Sequence, residues 1–288
     1  MASPRELRRR IKSIGSTAQI SRAMQMVASS KMRKAQQAAI AAQPFARLLY
    51  RIQRAATAKV NGFVHPLLEK REVRKRAVIL VAADKGLCGA LNSNVFRIAG
   101  HFDPKSTIFI TAGRKAAQYV ARSGRQLAAE FAYGDSPVFS EARAIATCAR
   151  DLFLKGDVDE VRIVATRFIN TLKQDPVSLE YLPVGAITSM QIPGVPPEAE
   201  LAGDDEGVTF EPGAEALLGY LLGHYLNIYV YVVLLNAKAS EQSARMVSMK
   251  NATDSAEALI DELTLMYNTI RQGNITRELL EIQGGQAE

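Results

Sequence analysis

The chain has 288 residues, 48% hydrophobic and 23% charged, enough apolar content for a buried core and too much for a disordered chain. Two cysteines (Cys88, Cys148) and three scattered histidines (His65, His101, His224) argue against a disulfide scaffold and a cysteine- or histidine-based metal centre. Residues 1–76 hold eighteen Lys and Arg against Glu6, Glu69 and Glu72, a net of +15 in a chain of total charge +7, so the basic first quarter calls for an acidic partner.

No apolar run of signal-peptide type follows the opening MASP, so the chain is expected to be unsecreted with reduced thiols. Ser3 and Pro4 suit the cap and first turn of a helix, and residues 1–60 are assigned to one N-terminal helix. With Leu7 at heptad position a, that position runs through Ile14, Ser21, Ala28, Ala35, Ala42 and Leu49. Position d runs through Ile11, Ala18, Gln25, Met32, Ala39, Ala46 and Gln53, and eleven of these fourteen residues are apolar. This is a sustained coiled-coil stripe whose alanines admit a close partner helix. Gly15 and Pro44 are its weak points, and Pro44 bends a helix without having to end it. If residues 4–58 stay helical, the rod is about 80 Å long.

Residues 61–76 form a charged connecting segment, and then the pattern changes. Residues 77–82 (AVILVA) are a nearly all-apolar run, as in a strand buried on both faces. Further strands are predicted at 107–111, 161–165 and 177–184. Helices are predicted at 90–99, 113–122 and 140–154, the last opened by Ser140 with Glu141 close behind. Alternation of this kind through residues 77–190 implies an α/β class, a Rossmann-like, mostly parallel sheet with helices on both faces. Residues 191–210, with Pro193, Pro196, Pro197 and an acidic glycine-flanked run, are loop-like.

Residues 211–288 have few breakers after Pro212, and a helix over 214–282 would be roughly 100 Å long. Heptad position a continues through Ala237, Ala244, Ala258, Leu265 and Leu279, while position d is largely polar. Within it, residues 217–235 (LLGYLLGHYLNIYVYVVLL) are uncharged and about long enough to span a bilayer. His224 and Asn227 fall mid-segment, the tyrosines lie through the middle instead of at the ends, and Lys238 is a weak flank. The segment is read as a helix buried on most sides within the protein.

The turn at residues 84–89 (DKGLCG) follows the first strand and precedes a helix, where a dinucleotide-binding loop would sit. It lacks the Gly-x-Gly-x-x-Gly pattern, and the preferred reading is a tight turn, with Asp84 a surface pair to Lys85 or a helix-capping group. Cys88 and Ser93 are the attractive nucleophiles, but no histidine partner is evident and no catalytic constellation emerges. The basic clusters, Arg5, Arg8, Arg9, Arg10 and Lys12, then Lys31, Arg33 and Lys34, suit a solvated face, an acidic loop on a partner, or nucleic acid without stacking aromatics. Met24, Met26 and Met32 share one helix, as core or as a contact that must repack. Residues 267–279 carry many hydrogen-bonding side chains and taken alone would face solvent.

Four stretches resemble the gamma subunit of F-type ATP synthases: residues 20–33 (ISRAMQMVASSKMR), 84–89, 239–254 (ASEQSARMVSMKNATD) and 267–282 (YNTIRQGNITRELLEI). The resemblance spans essentially the whole chain. It implies a non-catalytic central rotor shaft whose terminal helices form an antiparallel coiled coil inside a hexamer of alpha and beta subunits. The inserted domain would meet the epsilon subunit and the c-ring. Membrane contact would be indirect, at the cytoplasmic face of a bacterial inner membrane, with neither nucleic acid nor a cofactor or metal bound. Implied contacts to a beta-subunit loop are Met24, Arg245, Arg271, Gln272, Thr276 and Glu278. Arg8, Arg9, Lys31, Arg33 and Lys34 would be the basic patch toward acidic beta-subunit loops, and Leu279, Leu280 and Ile282 the bearing tip. The competing readings are a nucleotide-binding α/β enzyme with helical arms and a basic coiled-coil binder of nucleic acid.

Overall fold

The computed structural model describes residues 3–58, 60, 64–184 and 213–284. The loop predicted at 191–210 lies outside the described residues. Helix α1 spans Pro4–Ala58, and a short 3-10 turn spans Pro66–Leu68. The middle of the chain alternates β1 (Arg76–Val81), α2 (Leu91–Gly100), β2 (Thr107–Ala112), α3 (Arg114–Arg122), β3 (Gln126–Phe131), α4 (Phe139–Leu154), β4 (Glu160–Phe168) and β5 (Gln174–Leu182). Helix α5 spans Ala214–Gly284. The chain divides into two compact units, one of Met1–Ala28 with Arg245–Glu288 and one of Ser29–Ala244.

In the first unit two helical segments run antiparallel. The α1 start is capped as expected, Glu6 N–H donating to Ser3 Oγ at 3.2 Å. Leu7, Ala18, Ser21 and Ala28 are buried along α1. On α5 the inward stripe is Met249, Thr253, Ala256, Ile260, Leu263, Tyr267 and Ile270, each buried or half-buried. Its spacing alternates four and three residues, the heptad seam of a coiled coil. The α5 frame expected from sequence is corrected here, since Ala258, Leu265 and Leu279 are all exposed. Pairing is fixed by an ion pair from Arg22 to Glu257 and by the close approach at Gly15, where an added Cβ would sit 4.0 Å from Ile260 Cδ1. This register places Pro4 near residues 271–275. Beyond Ile270, residues 271–277 are exposed, as are Leu279 and Leu280.

The second unit is built on a five-stranded sheet of order β3-β2-β1-β4-β5. β1, β2, β3 and β4 are parallel, and β5 returns antiparallel to β4. Alternation along each strand sorts side chains to two faces. Ala77, Ile79, Val81, Ile110 and Ile163 join α4 residues Ile145, Ala149 and Phe153 in one core. Val78, Leu80, Phe109 and Val164 meet α2 and α3 through Val95, Ala99, Ala116 and Val120 in the other. The uncharged stretch of α5 completes the first core, with Leu222, Leu226, Val230, Val233 and Leu234 buried. Tyr181 Oη donates to Leu226 O at 3.3 Å across that contact. By length and hydropathy this stretch could cross a membrane, yet its apolar surface is spent on the sheet, as the sequence reading held.

Three assignments change. β3 (QLAAEF) was not foreseen, and its burial pattern is mostly exposed, as for an edge strand. The last strand begins at Gln174 instead of residue 177. Helix α4 begins at Phe139, and Glu141 rather than Ser140 closes its start, accepting from Val138 N–H at 2.9 Å and Gly134 N–H at 3.1 Å.

Candidate functional site

The loops at the carboxyl ends of the parallel strands are tied into one layer. Asp84 is a helix-capping group, though not for the helix that follows it in sequence. Its Oδ1 accepts from Arg114 N–H at 3.0 Å, at the start of α3. Ala83 N–H donates to Asn92 Oδ1 at 3.1 Å, and Lys115 N–H to Ala83 O at 3.1 Å. Tyr133 Oη donates to Ala82 O at 3.1 Å, and burial raises its phenol well above the usual range, so it remains a donor. Gly113, at φ 94°, lies so close that a Cβ there would be 2.0 Å from Ala82 O.

Within this layer the turn at 84–89 is shaped by backbone geometry, with Leu87 at φ 62° and Gly89 at φ 58°. Cys88 is buried, its Sγ 3.5 Å from Asn92 Nδ2, a placement that withholds it from a substrate. Ser93 is exposed on α2. Burial raises the Cys148 thiol above its usual value, which favours the protonated form. Among the described residues no cluster of His, Cys, Asp or Glu has the makings of a metal site.

The edge itself is covered by α5. Lys238, 1% exposed, donates to Glu241 Oε2 at 2.9 Å. Its Nζ lies 3.8 Å from Asp135 Oδ1 and 4.6 Å over the Tyr133 ring. Asp135 also accepts from Lys31 Nζ of α1 at 2.5 Å. The Lys31 hydrogen bond, reinforced by the Lys238 and Lys85 charges, holds the Asp135 carboxyl below the usual range. Ser243 Oγ donates to Thr171 O at 2.8 Å, and Ala244 packs on Ala83, Cys88 and Leu91. Sequence reasoning missed this group, treating Lys238 as a weak flank. The available signal was a lone cation ending a long uncharged run.

The residues singled out by resemblance fall as follows. Met24 is 39% exposed, and Arg245 is half-buried. Arg271, Gln272 and Thr276 are exposed on α5 past the end of the inward stripe, with Thr276 Oγ1 returned to Gln272 O at 3.0 Å. Leu279 and Leu280 are 58% and 63% exposed. Glu278 and Ile282 lie on the helix, their side chains outside the described set. Arg8, Arg9, Arg33 and Lys34 are exposed, whereas Lys31 is engaged by Asp135. The structure thus gathers Arg271 to Thr276 on one bare helical stretch.

The family model described as ATP synthase matches residues 3–287. The chain is 43% identical to the ATP synthase gamma chain of Opitutus terrae over 291 residues, covering 99% of this chain and 98% of that relative. It is 42% identical to the ATP synthase gamma chain of Desulforamulus reducens over 290 residues, covering 100% and 99%. Among solved structures it is similar to a chain of Euglena gracilis mitochondrial ATP synthase (OSCP/F1/c-ring, rotational state 3). That match has a TM-score of 0.68 at 18% identity, covering 99% of this chain and 93% of that one. A chain of the central stalk and c-ring of Tetrahymena thermophila mitochondrial ATP synthase matches with a TM-score of 0.60 at 24% identity, covering 81% and 99%. The structural likenesses speak for the fold.

Proposed function

This chain belongs to the ATP synthase gamma-chain family, and from that premise we propose that it is the central rotor shaft of a proton-translocating F-type ATP synthase. It does no bond chemistry itself. Proton flow turns a c-ring, the ring carries the shaft, and the asymmetric shaft drives the beta subunits through their nucleotide-affinity states in turn.

The observation that carries this reading is the first unit. A heptad seam pairs the two ends of the chain as far as Ile270, after which residues 271–277, 279 and 280 of α5 are exposed. Exposed Leu279 and Leu280 on a lone helix call for an enclosing apolar sleeve. Here that sleeve is the upper rim of an alpha–beta hexamer, with Leu279, Leu280 and Ile282 as the bearing. Arg271, Gln272, Thr276 and Glu278, with Met24 and Arg245, contact a beta-subunit loop. Arg8, Arg9, Arg33 and Lys34, with the partly engaged Lys31, face acidic beta-subunit loops, which accounts for the +15 of residues 1–76.

Mechanically the design needs a stiff coil, charged grips and a weakly bonded tip. Strong bonding to one beta subunit would trap one angle, because turning requires similar energies at successive dwells. The α/β unit joins the epsilon subunit and the c-ring, so contact with the cytoplasmic face of the bacterial inner membrane is indirect. Support comes from the neighbours' own complexes, which hold F1, a rotor and a c-ring.

The test is co-purification. The tagged chain, expressed with alpha and beta subunits, is expected to bring both down with ATPase activity. Recovery of the folded chain free of both would overturn the proposal.

A further inference from the structure

The chain runs from β1 outward to β2 and β3 on one side and then crosses back through α4 to lay β4 on the other side of β1, so the switch point of the sheet lies between β1 and β4. Doubly wound sheets take their ligands there, outside the carboxyl ends of the strands. In this chain the place is filled by its own helix. Residues 238–244 of α5 touch the loop after β1 through Ala83 and Cys88, the loop after β3 through Tyr133 and Asp135, and the loop after β4 through Thr171. We infer that this edge is a clamp on α5, and that Lys238 and Asp135 are positioning residues that hold the helix in one rotational and axial register while torque passes between it and the sheet. The inference rests on the rotor reading proposed above.

The physical case is a contrast between two kinds of contact. Upstream, residues 228–235 of α5 meet the sheet through Ile228, Val230, Val232, Val233 and Leu234. Apolar packing is non-directional, so a helix held by it alone can turn or slide by repacking. Lys238 cannot move in that way. Its ammonium is surrounded by Glu241, Asp135 and the Tyr133 ring, and any slip would leave a buried charge without partners. Asp135 in turn reaches Lys31, so one carboxylate bridges both terminal helices. Tyr133 anchors the group to the end of β1 through Ala82 O.

Two variants test this in the full chain and in the assembled ATP synthase. Lys238→Met is combined with Glu241→Gln, which removes both charges of the pair while keeping its shape. Asp135→Asn is the second. In the full-length chain, amide exchange at residues 133–135 and 238–244 is expected to rise about tenfold, a typical size for one lost paired interaction, with β1 and β4 amides unchanged. In the complex, ATP hydrolysis is expected near wild type while proton pumping per ATP hydrolysed falls severalfold, whereas Lys238→Arg, which keeps the charge, pumps as wild type does. A pumping-to-hydrolysis ratio equal to wild type in both variants would overturn the clamp, as would a uniform rise in exchange that marks general loosening. A wild-type complex that hydrolyses ATP without pumping would instead overturn the rotor reading.

Discussion

Gly113→Ala is expected to be far more damaging than its small size suggests. The residue sits at φ 94°, ψ 143°, a region essentially reserved for glycine, and strain there costs on the order of 1–3 kcal/mol. The added Cβ would lie 2.0 Å from Ala82 O, 3.1 Å from Ala82 C and 3.3 Å from Tyr133 Cε1. An ordinary carbon–oxygen approach is about 3.3 Å, so the β1 backbone must retreat by more than an ångström. That retreat disturbs the bonds from Tyr133 Oη to Ala82 O and from Ala82 N–H to Ala112 O. Together the loss is roughly 4 kcal/mol, near the upper end for one substitution. Two controls separate the contributions. Gly124 has φ 62° with nothing within 4 Å, so Gly124→Ala carries backbone strain alone, about 1–2 kcal/mol. Gly86 has open space and no positive φ, so Gly86→Ala should lie within about 1 kcal/mol of zero. Native-state hydrogen exchange of β1 and β2 amides reads this directly, with Gly113→Ala speeding exchange about a thousandfold and Gly124→Ala about tenfold. Equal effects of the two would refute the steric argument and the tight layer built on it.

Asp135 gives a pH prediction. Its folded-state carboxyl is depressed chiefly by the Lys31 hydrogen bond, so the stability it contributes is complete above the usual carboxylate value and lost as pH falls through the lowered one. Acid titration of unfolding should therefore be shallower for Asp135→Asn than for wild type below about pH 4; identical curves would count against the pair. Leu222→Ala, in the sheet-facing core, should cost about 2–5 kcal/mol by urea denaturation, whereas a lipid-facing or surface position would cost little. Arg22→Ala removes an exposed ion pair with Glu257, so its cost should stay below about 1 kcal/mol. Met24→Lys places a cation on an exposed helical face and should lower proton pumping per ATP more than it lowers assembly. Equal pumping ratios in reconstituted vesicles would contradict the assigned contact.

The α1 stripe was legible because every described a and d position from Leu7 to Leu49 is buried or half-buried, the direct consequence of a regular heptad. The α5 frame was not. Between Leu217 and Ala244 the helix packs on nearly all sides, so burial erases periodicity there. The seam restarts at Met249 in a different register from the one extrapolated through Ala237 and Ala244. β3 escaped notice because QLAAEF has no β-branched residue. Its strand state comes from pairing with β2 and not from propensity. The Lys31–Asp135–Lys238 group was out of reach for a different reason. Its members are more than a hundred residues apart, and each alone looks like an ordinary surface charge. The motifs, by contrast, carried the family and its implied contacts without geometry.

Turning motion itself is the most direct measurement. With an alpha–beta hexamer fixed to a surface and an optical marker attached to the α/β unit of this chain, ATP should drive sustained rotation in one direction. A marker that stays still or only jitters, on complexes shown to be hydrolysing ATP, would contradict the role of axle.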